Sequence, residues 1–174
     1  MSGLQEEERN PGDSQAAKIA LRHAVISDGN FIGSLSGDVF KVYGPYEDIL
    51  LRWFKSERDI TTIIACRDKT QIGFVMLSEP SDMYNLHEVS EILGIAVKPQ
   101  SQGKGVGGML LRAIEIKSAS LNIKWLFLHT AIDNVSARRL YERTGYTNLE
   151  IKKGFYPEGQ DAIVMYKAVK RFIE

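Results

Sequence analysis

Between positions 102 and 108 the chain reads Gln-Gly-Lys-Gly-Val-Gly-Gly, which places glycines at 103, 105, 107 and 108. So many residues without a Cβ defeat regular structure locally. The flanks, however, are strongly patterned. Before the cluster, Glu91-Ile-Leu-Gly-Ile-Ala-Val97 reads as a strand; after it, Val106, Met109, Leu110, Ala113 and Ile114 fall at the spacing of one helix face. The chain therefore passes from strand to helix through a bare loop. Its backbone N–H groups and the positive helix end can then face one anion. A pyrophosphate fits that description, with oxygens approaching the main chain at Gly105 and Gly107 and donors added by Gln102 and Lys104. The alternative is a purely structural turn, which rarely needs four glycines in so short a span.

The phosphate ligand is narrowed by what the segment fails to match. Gly103-Lys-Gly-Val-Gly-Gly108 satisfies the spacing G-x-G-x-x-G, but that motif wants an acidic residue about 20 positions later. Residues 124 to 129 are Lys-Trp-Leu-Phe-Leu-His. A nucleoside-triphosphate loop needs Ser or Thr after its lysine, and Lys104 is followed by glycine.

The remaining pattern predicts one α/β domain on a mixed sheet. A first strand runs from Lys18 to Ile26, with turn and helix-start chemistry in Ser27-Asp-Gly-Asn30; the stretch to Tyr43 is ambiguous. Pro45 opens a helix through Phe54, with Ile49, Leu50, Trp53 and Phe54 at helical spacing. Thr61–Arg67 and Gln71–Leu77 read as an antiparallel hairpin. Ser78 to Val89 is a loop carrying Met83, Tyr84 and His87. Lys124–Thr130 is a strand, and Asn134 caps a helix ending near Thr144 with Gly145 as the left-handed stop. Strands near Thr147–Lys153 and Ala162–Lys167 finish the chain. Strand, glycine loop, helix, strand, helix makes a βαβα unit. Residues 1–15 read as a flexible tail and 16–174 as a single domain.

Charge and cysteine content bound the function. Twenty-two basic and 22 acidic residues cancel, so no global field holds a nucleic acid or an anionic membrane. The acidic N-terminal stretch lacks the apolar core of a signal peptide, and no run approaches a membrane span, so the expected location is cytoplasmic. Cys66 lies in an apolar strand and reads as structural. His23, His87 and His129 lack metal-ligand spacing, so no metal is expected.

Gln102, Gly105 and Gly107, directly after the strand Gly94-Ile-Ala-Val97, resemble the Q/R-x-x-G-x-G/A signature of the GNAT acetyltransferase superfamily. Asn134-Val-Ser-Ala-Arg-Arg-Leu-Tyr-Glu-Arg-Thr-Gly-Tyr146 is similar to its N-x-x-A-x-x-x-Y-x-x-x-G-F/Y helix. Phe155-Tyr-Pro-Glu-Gly-Gln-Asp-Ala-Ile-Val-Met165 resembles the tail of the ribosomal-protein-alanine and archaeal N-terminal acetyltransferases. The resemblance implies a mostly antiparallel sheet flanked by helices, in which one parallel strand pair splays to admit acetyl-coenzyme A. It implies cofactor contacts from Ile95, Ala96 and Val97, from Gln102, Gly103, Lys104, Gly105, Val106, Gly107 and Gly108, and from Asn134, Ala137 and Tyr141. It permits a homodimer.

An amine attacks a thioester only when neutral, so a base is needed near pH 7. Glu91 matches the position of a glutamate base in some relatives; its other reading is a solvent-facing strand residue. Glu88 falls in the loop. His129 ends the adjacent strand and is a second candidate base, or else a hydrogen-bonded structural histidine; the N-terminal acetyltransferases often carry glutamate there. Tyr141 is placed to protonate the departing thiolate, or else belongs to its helix's apolar face. A backbone N–H near Ala96 or Val97 can serve the developing oxyanion. The acceptor is a peptide N-terminus or a small amine such as a polyamine or antibiotic, contacted by Tyr84, Phe155 and Tyr156. A sensor of acyl-coenzyme A without turnover is the non-enzymatic alternative.

Overall fold

A computed structural model describes residues 18–56, 59–80 and 88–170. The tail 1–15 and the loop residues Met83, Tyr84 and His87 lie outside the described residues. The strands are β1 (Ile19–His23), β2 (Ile60–Arg67), β3 (Thr70–Ser78), β4 (Val89–Val97), β5 (Trp125–Ala131), β6 (Thr147–Lys152) and β7 (Ala162–Ala168); the helices are α1 (Gly29–Phe40), α2 (Tyr46–Phe54), α3 (Val106–Ser120) and α4 (Val135–Arg143). The strands form one sheet in the order β1-β2-β3-β4-β5-β7-β6. Every neighbouring pair is antiparallel except β4 and β5. This is the mixed sheet that the sequence pattern predicts, mostly antiparallel with one parallel pair as the family resemblance implies.

Two apolar layers hold it. On one face Val106, Leu110, Leu111 and Ile114 of α3 and Tyr141 of α4 pack on Ile63, Val75, Ile92, Leu126 and Leu128. On the other, Ile32 and Leu35 of α1 and Leu50 of α2 pack on Ile64, Phe74, Met76 and Ala96. Because β2 and β3 are covered on both sides, their sequences run apolar without alternation. Cys66 is buried in the second layer.

Several local details differ from expectation. The first strand stops at His23, and Ile26–Asp28 forms a short 3-10 turn. The cause is Asp28, which is 2% exposed. Its carboxylate accepts two bonds from the Arg22 guanidinium, at 2.7 and 2.8 Å, one from the Val25 N–H at 2.7 Å, and another from Gln71. The ambiguous stretch after it is the helix α1. In α3 the buried stripe is Val106, Leu110, Leu111, Ile114 and Ser118, and Met109 is exposed on the far side. The β2–β3 turn is the two residues Asp68 and Lys69, both at positive φ, which matches the right-handed twist of the hairpin.

The end of α4 is held in a Schellman arrangement. Tyr146 N–H donates to the Tyr141 carbonyl at 3.0 Å and Gly145 N–H to Glu142 at 3.1 Å, with Gly145 at φ 93°. The Tyr141 and Tyr146 rings meet edge to face at 5.8 Å. The helix stop thereby fixes where Tyr141 sits.

Asp28 gives a pH prediction. Arg22 beside it and the Val25 N–H, outweighing burial, hold its carboxyl down at about 2 from an ordinary 3.8. Since folding depresses this group, its stabilisation is complete above 3.8 and disappears as pH falls through about 2. Asp28→Asn should cost about 2 kcal/mol at neutral pH and flatten the acid limb of the stability curve. Urea unfolding from pH 2 to pH 7 measures both.

Candidate active site

The site is made where the parallel pair stops pairing. β4 and β5 are in register only from Val89 opposite Trp125 to Ile92 opposite Leu128. On its other edge β4 carries a bulge: Ile92 faces Leu77 and Gly94 faces Met76, leaving Leu93 without a counterpart. Beyond the bulge Leu93–Val97 and His129–Ala131 become opposite walls of a cleft of about 450 Å³. The glycine loop and α4 form one end, and residues of α1, α2 and the segment 155–156 form the other.

The glycine positions have separable reasons. Gly103 and Gly105 adopt φ 70° and 81°, and open space surrounds both, as it does Gly108. Gly107 is different: a Cβ there would meet Leu140 of α4 at 2.8 Å. Its missing side chain lets two helices approach. Gln102 Nε2 donates to the Val97 carbonyl at 2.9 Å, tying the loop to β4. The first N–H groups of α3, those of Val106, Gly107 and Gly108, have no carbonyl one turn earlier in the helix to accept them. Met109 N–H is the first to bond within the helix, to Gly105 at 3.0 Å.

Most residues singled out from the sequence converge here. Glu91, Ile95, Ala96, Val97, Gln102, Gly103, Gly105, Val106, Gly107, Gly108, His129, Asn134, Ala137 and Tyr141 all line the cleft. Lys104 does not; its ammonium donates to the Gln100 carbonyl at 3.0 Å. Asn134 accepts the Ala137 N–H at 3.1 Å and so caps α4. Lining residues that the sequence did not mark include Val39, Phe40 and Tyr43, which belong to the stretch whose structure was ambiguous, and Arg143.

Glu91 and His129, read from the sequence as rival bases, form a pair. Glu91 sits opposite Phe127, two positions before His129, so both side chains leave the same face of the sheet. His129 Nδ1 lies 2.7 Å from Glu91 Oε1. An ionised carboxylate only accepts, so the imidazole proton belongs on Nδ1 and Nε2 keeps its lone pair. Among the described residues nothing bonds to Nε2, which is buried. Phe155 lies flat against the imidazole, centroids 4.4 Å apart and planes within 2°.

The tyrosines of the cleft are all held protonated. Burial pushes the Tyr141 and Tyr156 phenols well up. Tyr43 is pushed up to about 12, by burial and then by Asp133, whose carboxylate accepts its hydroxyl at 3.2 Å. Burial and then the Glu91 charge raise Tyr46. At neutral pH these groups are donors. Among the described residues no cluster of three or more His, Cys, Asp or Glu has the arrangement of a metal site, and no helix is long and apolar enough to cross a membrane.

A model of the acetyltransferase (GNAT) family matches residues 20–146. An uncharacterised N-acetyltransferase of Methanocaldococcus jannaschii is 30% identical over 150 residues, which are 86% of this chain and 91% of that protein. An N-alpha-acetyltransferase of Saccharolobus solfataricus is 25% identical over 116 residues, 63% of this chain and 70% of that one. The structure of yncA from Salmonella typhimurium with its cofactor acetyl-CoA superposes with a TM-score of 0.75 at 15% identity, covering 90% of this chain and 96% of that one.

The two kinds of glycine give a stability prediction. Gly105→Ala forces a side chain into left-handed backbone and should cost about 1 kcal/mol, whereas Gly108→Ala, at an ordinary helical position in open space, should gain up to about 1 kcal/mol. Thermal denaturation of the two variants side by side reads the contrast, and equal losses would refute it.

Proposed function

Because the chain belongs to the acetyltransferase (GNAT) family, we propose that it transfers an acetyl group from acetyl-coenzyme A to the amino terminus of a peptide. The observation that carries this reading is the Glu91–His129 pair, which opens into the same cleft as the glycine loop and the Tyr141 side chain. The relative named an N-alpha-acetyltransferase supports the choice of acceptor.

The residues present fit the cofactor. Gly103, Gly105 and Gly108 leave open space beside the α3 N–H groups, a cradle for a pyrophosphate with Gln102 at its rim. Ile95, Ala96 and Val97 lie where β4 has lost β5 as a partner, so the main-chain groups on that edge of β4, apart from the Val97 carbonyl engaged by Gln102, are available to an extended pantetheine arm. Asn134 and Ala137 border the same wall from α4. When bound, acetyl-coenzyme A supplies an activated acyl group as a thioester.

The remaining chemistry belongs to the chain. The Glu91 carboxylate, the exposed member of the pair, takes a proton from the incoming ammonium, directly or through one water, and the His129 Nδ1–H that it accepts at 2.7 Å holds it in place. The neutral amine forms its C–N bond as the C–S bond breaks, and the second proton left on its nitrogen passes to solvent. A backbone N–H near Ala96 or Val97 faces the carbonyl oxygen as its charge grows. Tyr141 donates its phenolic proton to the departing sulfur and regains one from solvent. Burial that raises the phenol raises a thiolate in the same place too, so transfer toward sulfur is not opposed by the desolvation.

The deciding experiment is calorimetric titration with acetyl-coenzyme A, comparing the parent with Gly108→Glu, followed by thiol release on a peptide and amine panel. The variant adds a carboxylate to the phosphate cradle at a position with room for it and should abolish saturable binding; an unchanged affinity would remove the glycine loop from the cofactor site. Tyr141→Phe should lower kcat about 100-fold with the acetyl-coenzyme A affinity nearly intact. Glu91→Gln should alter the pH dependence of kcat as well as its size, and a profile that keeps its shape would leave the carboxylate no part in proton transfer.

A further inference from the structure

The acceptor end of the cleft is walled by aromatic rings that continue directly from the proton-accepting pair. Phe155, flat on His129, meets Tyr156 edge to face at 5.1 Å. Tyr156 in turn lies 5.0 Å from Tyr43 and 6.0 Å from Tyr46, and Tyr46 lies 5.7 Å from Phe40. The wall draws on two distant segments, residues 40–46 from the end of α1 to the start of α2 and the connection between β6 and β7. They are fastened together. Gln160 Nε2 donates to the Val42 carbonyl at 2.6 Å. Gly44, at φ 130°, admits the Pro157 ring so closely that a Cβ would lie 2.8 Å from it. Tyr43 is anchored to Asp133 on the β5–α4 connection. The wall is therefore preformed and does not wait for a ligand to assemble it.

Its charge content is sparse. Among the described residues that line the cleft, Glu91 is the one carboxylate, and it is already engaged by His129. A second ammonium, such as a polyamine carries, would meet rings and, among the described lining residues, no free carboxylate, since Asp133 behind Tyr43 is engaged by that hydroxyl, and an unpaired charge is expensive to bury. An apolar group beside the reacting amine would instead replace water on those rings. The Tyr46 and Tyr156 hydroxyls, which bond to no described residue, are left as donors for a peptide carbonyl.

Resting on the acetyltransferase reading above, we propose that this wall selects acceptors whose amine-bearing carbon carries a large apolar side chain, so that the preferred substrates are peptides beginning with Met, Leu or Phe. A first residue as small as Ala, Ser or Gly leaves the aromatic wall unfilled. A single methylene in a hydrophobic pocket is worth about 10- to 200-fold in kcat/KM.

The test uses peptides identical except in their first residue, with spermidine as a second amine class. Acetylation rates and calorimetric affinities for the coenzyme A-loaded protein are both measured. Met, Leu and Phe peptides should exceed Ala, Ser and Gly peptides at least 10-fold in kcat/KM and bind correspondingly tighter. Tyr46→Ala should narrow that ratio, Tyr46→Phe should largely keep it, and unaltered acetyl-coenzyme A affinity in both variants shows that they fold. Equal or reversed preference for small first residues, or spermidine as the fastest acceptor, overturns this specificity while leaving the acetyltransferase assignment in place. Saturable acetyl-coenzyme A binding with no acceptor modified overturns the peptide N-terminal reading itself.

Discussion

Everything distinctive in this molecule follows from a ladder that stops early. Four residues of β4 pair with four of β5, and then the two strands part while both stay anchored on their outer edges, β4 to β3 and β5 to β7. Peptide groups that lose their partners in a sheet are costly unless something else satisfies them. The fold tolerates the break because the flanking hairpins and the helices on both faces hold the halves in place. What remains is a strand edge open to an extended ligand, with the α3 N-terminus at one end of the opening and a titratable pair at its base. The bulge at Leu93 belongs to the same device, since it bends β4 away just where pairing ends.

The parts legible from sequence are those whose cause is local. The glycine loop announces itself because left-handed backbone at 103 and 105 needs residues without a Cβ, and α4 does so through Asn134 at one end and Gly145 at the other. Helix α1 was obscured because Gly33, Gly37 and its serines carry turn chemistry; its helicity comes from packing of Ile32 and Leu35 on the sheet. The reason for Gly107 was equally hidden, because it depends on Leu140 in a different helix.

The same distinction separates the site residues. Glu91 and His129 each stand out by type and position, but their union requires knowing that the two strands are parallel and that residue 91 lies opposite 127. Tyr43 and Tyr156 meet across a gap in sequence that no local pattern spans, and Gly44 admits Pro157 over the same distance. Long-range contacts of this kind are set by topology and carry no periodic signature. The residues of the aromatic wall are thus harder to read than those of the glycine loop.

A cleft bounded by two half-sheets works only if the halves keep their spacing. At the base, the short Val89–Ile92 ladder sets the distance between Glu91 and His129, and a slip of even one residue would turn one of the two side chains to the opposite face. At the mouth, the Gln160–Val42 bond, the Gly44–Pro157 contact and the Tyr43–Asp133 bond join the α1–α2 loop to the β5 side of the molecule. The frame is closed at both ends and open along its length. That arrangement holds the Glu91–His129 pair in fixed register while the long walls of the cleft remain unpaired, the geometry that the proposed meeting of an extended thioester and an incoming amine requires.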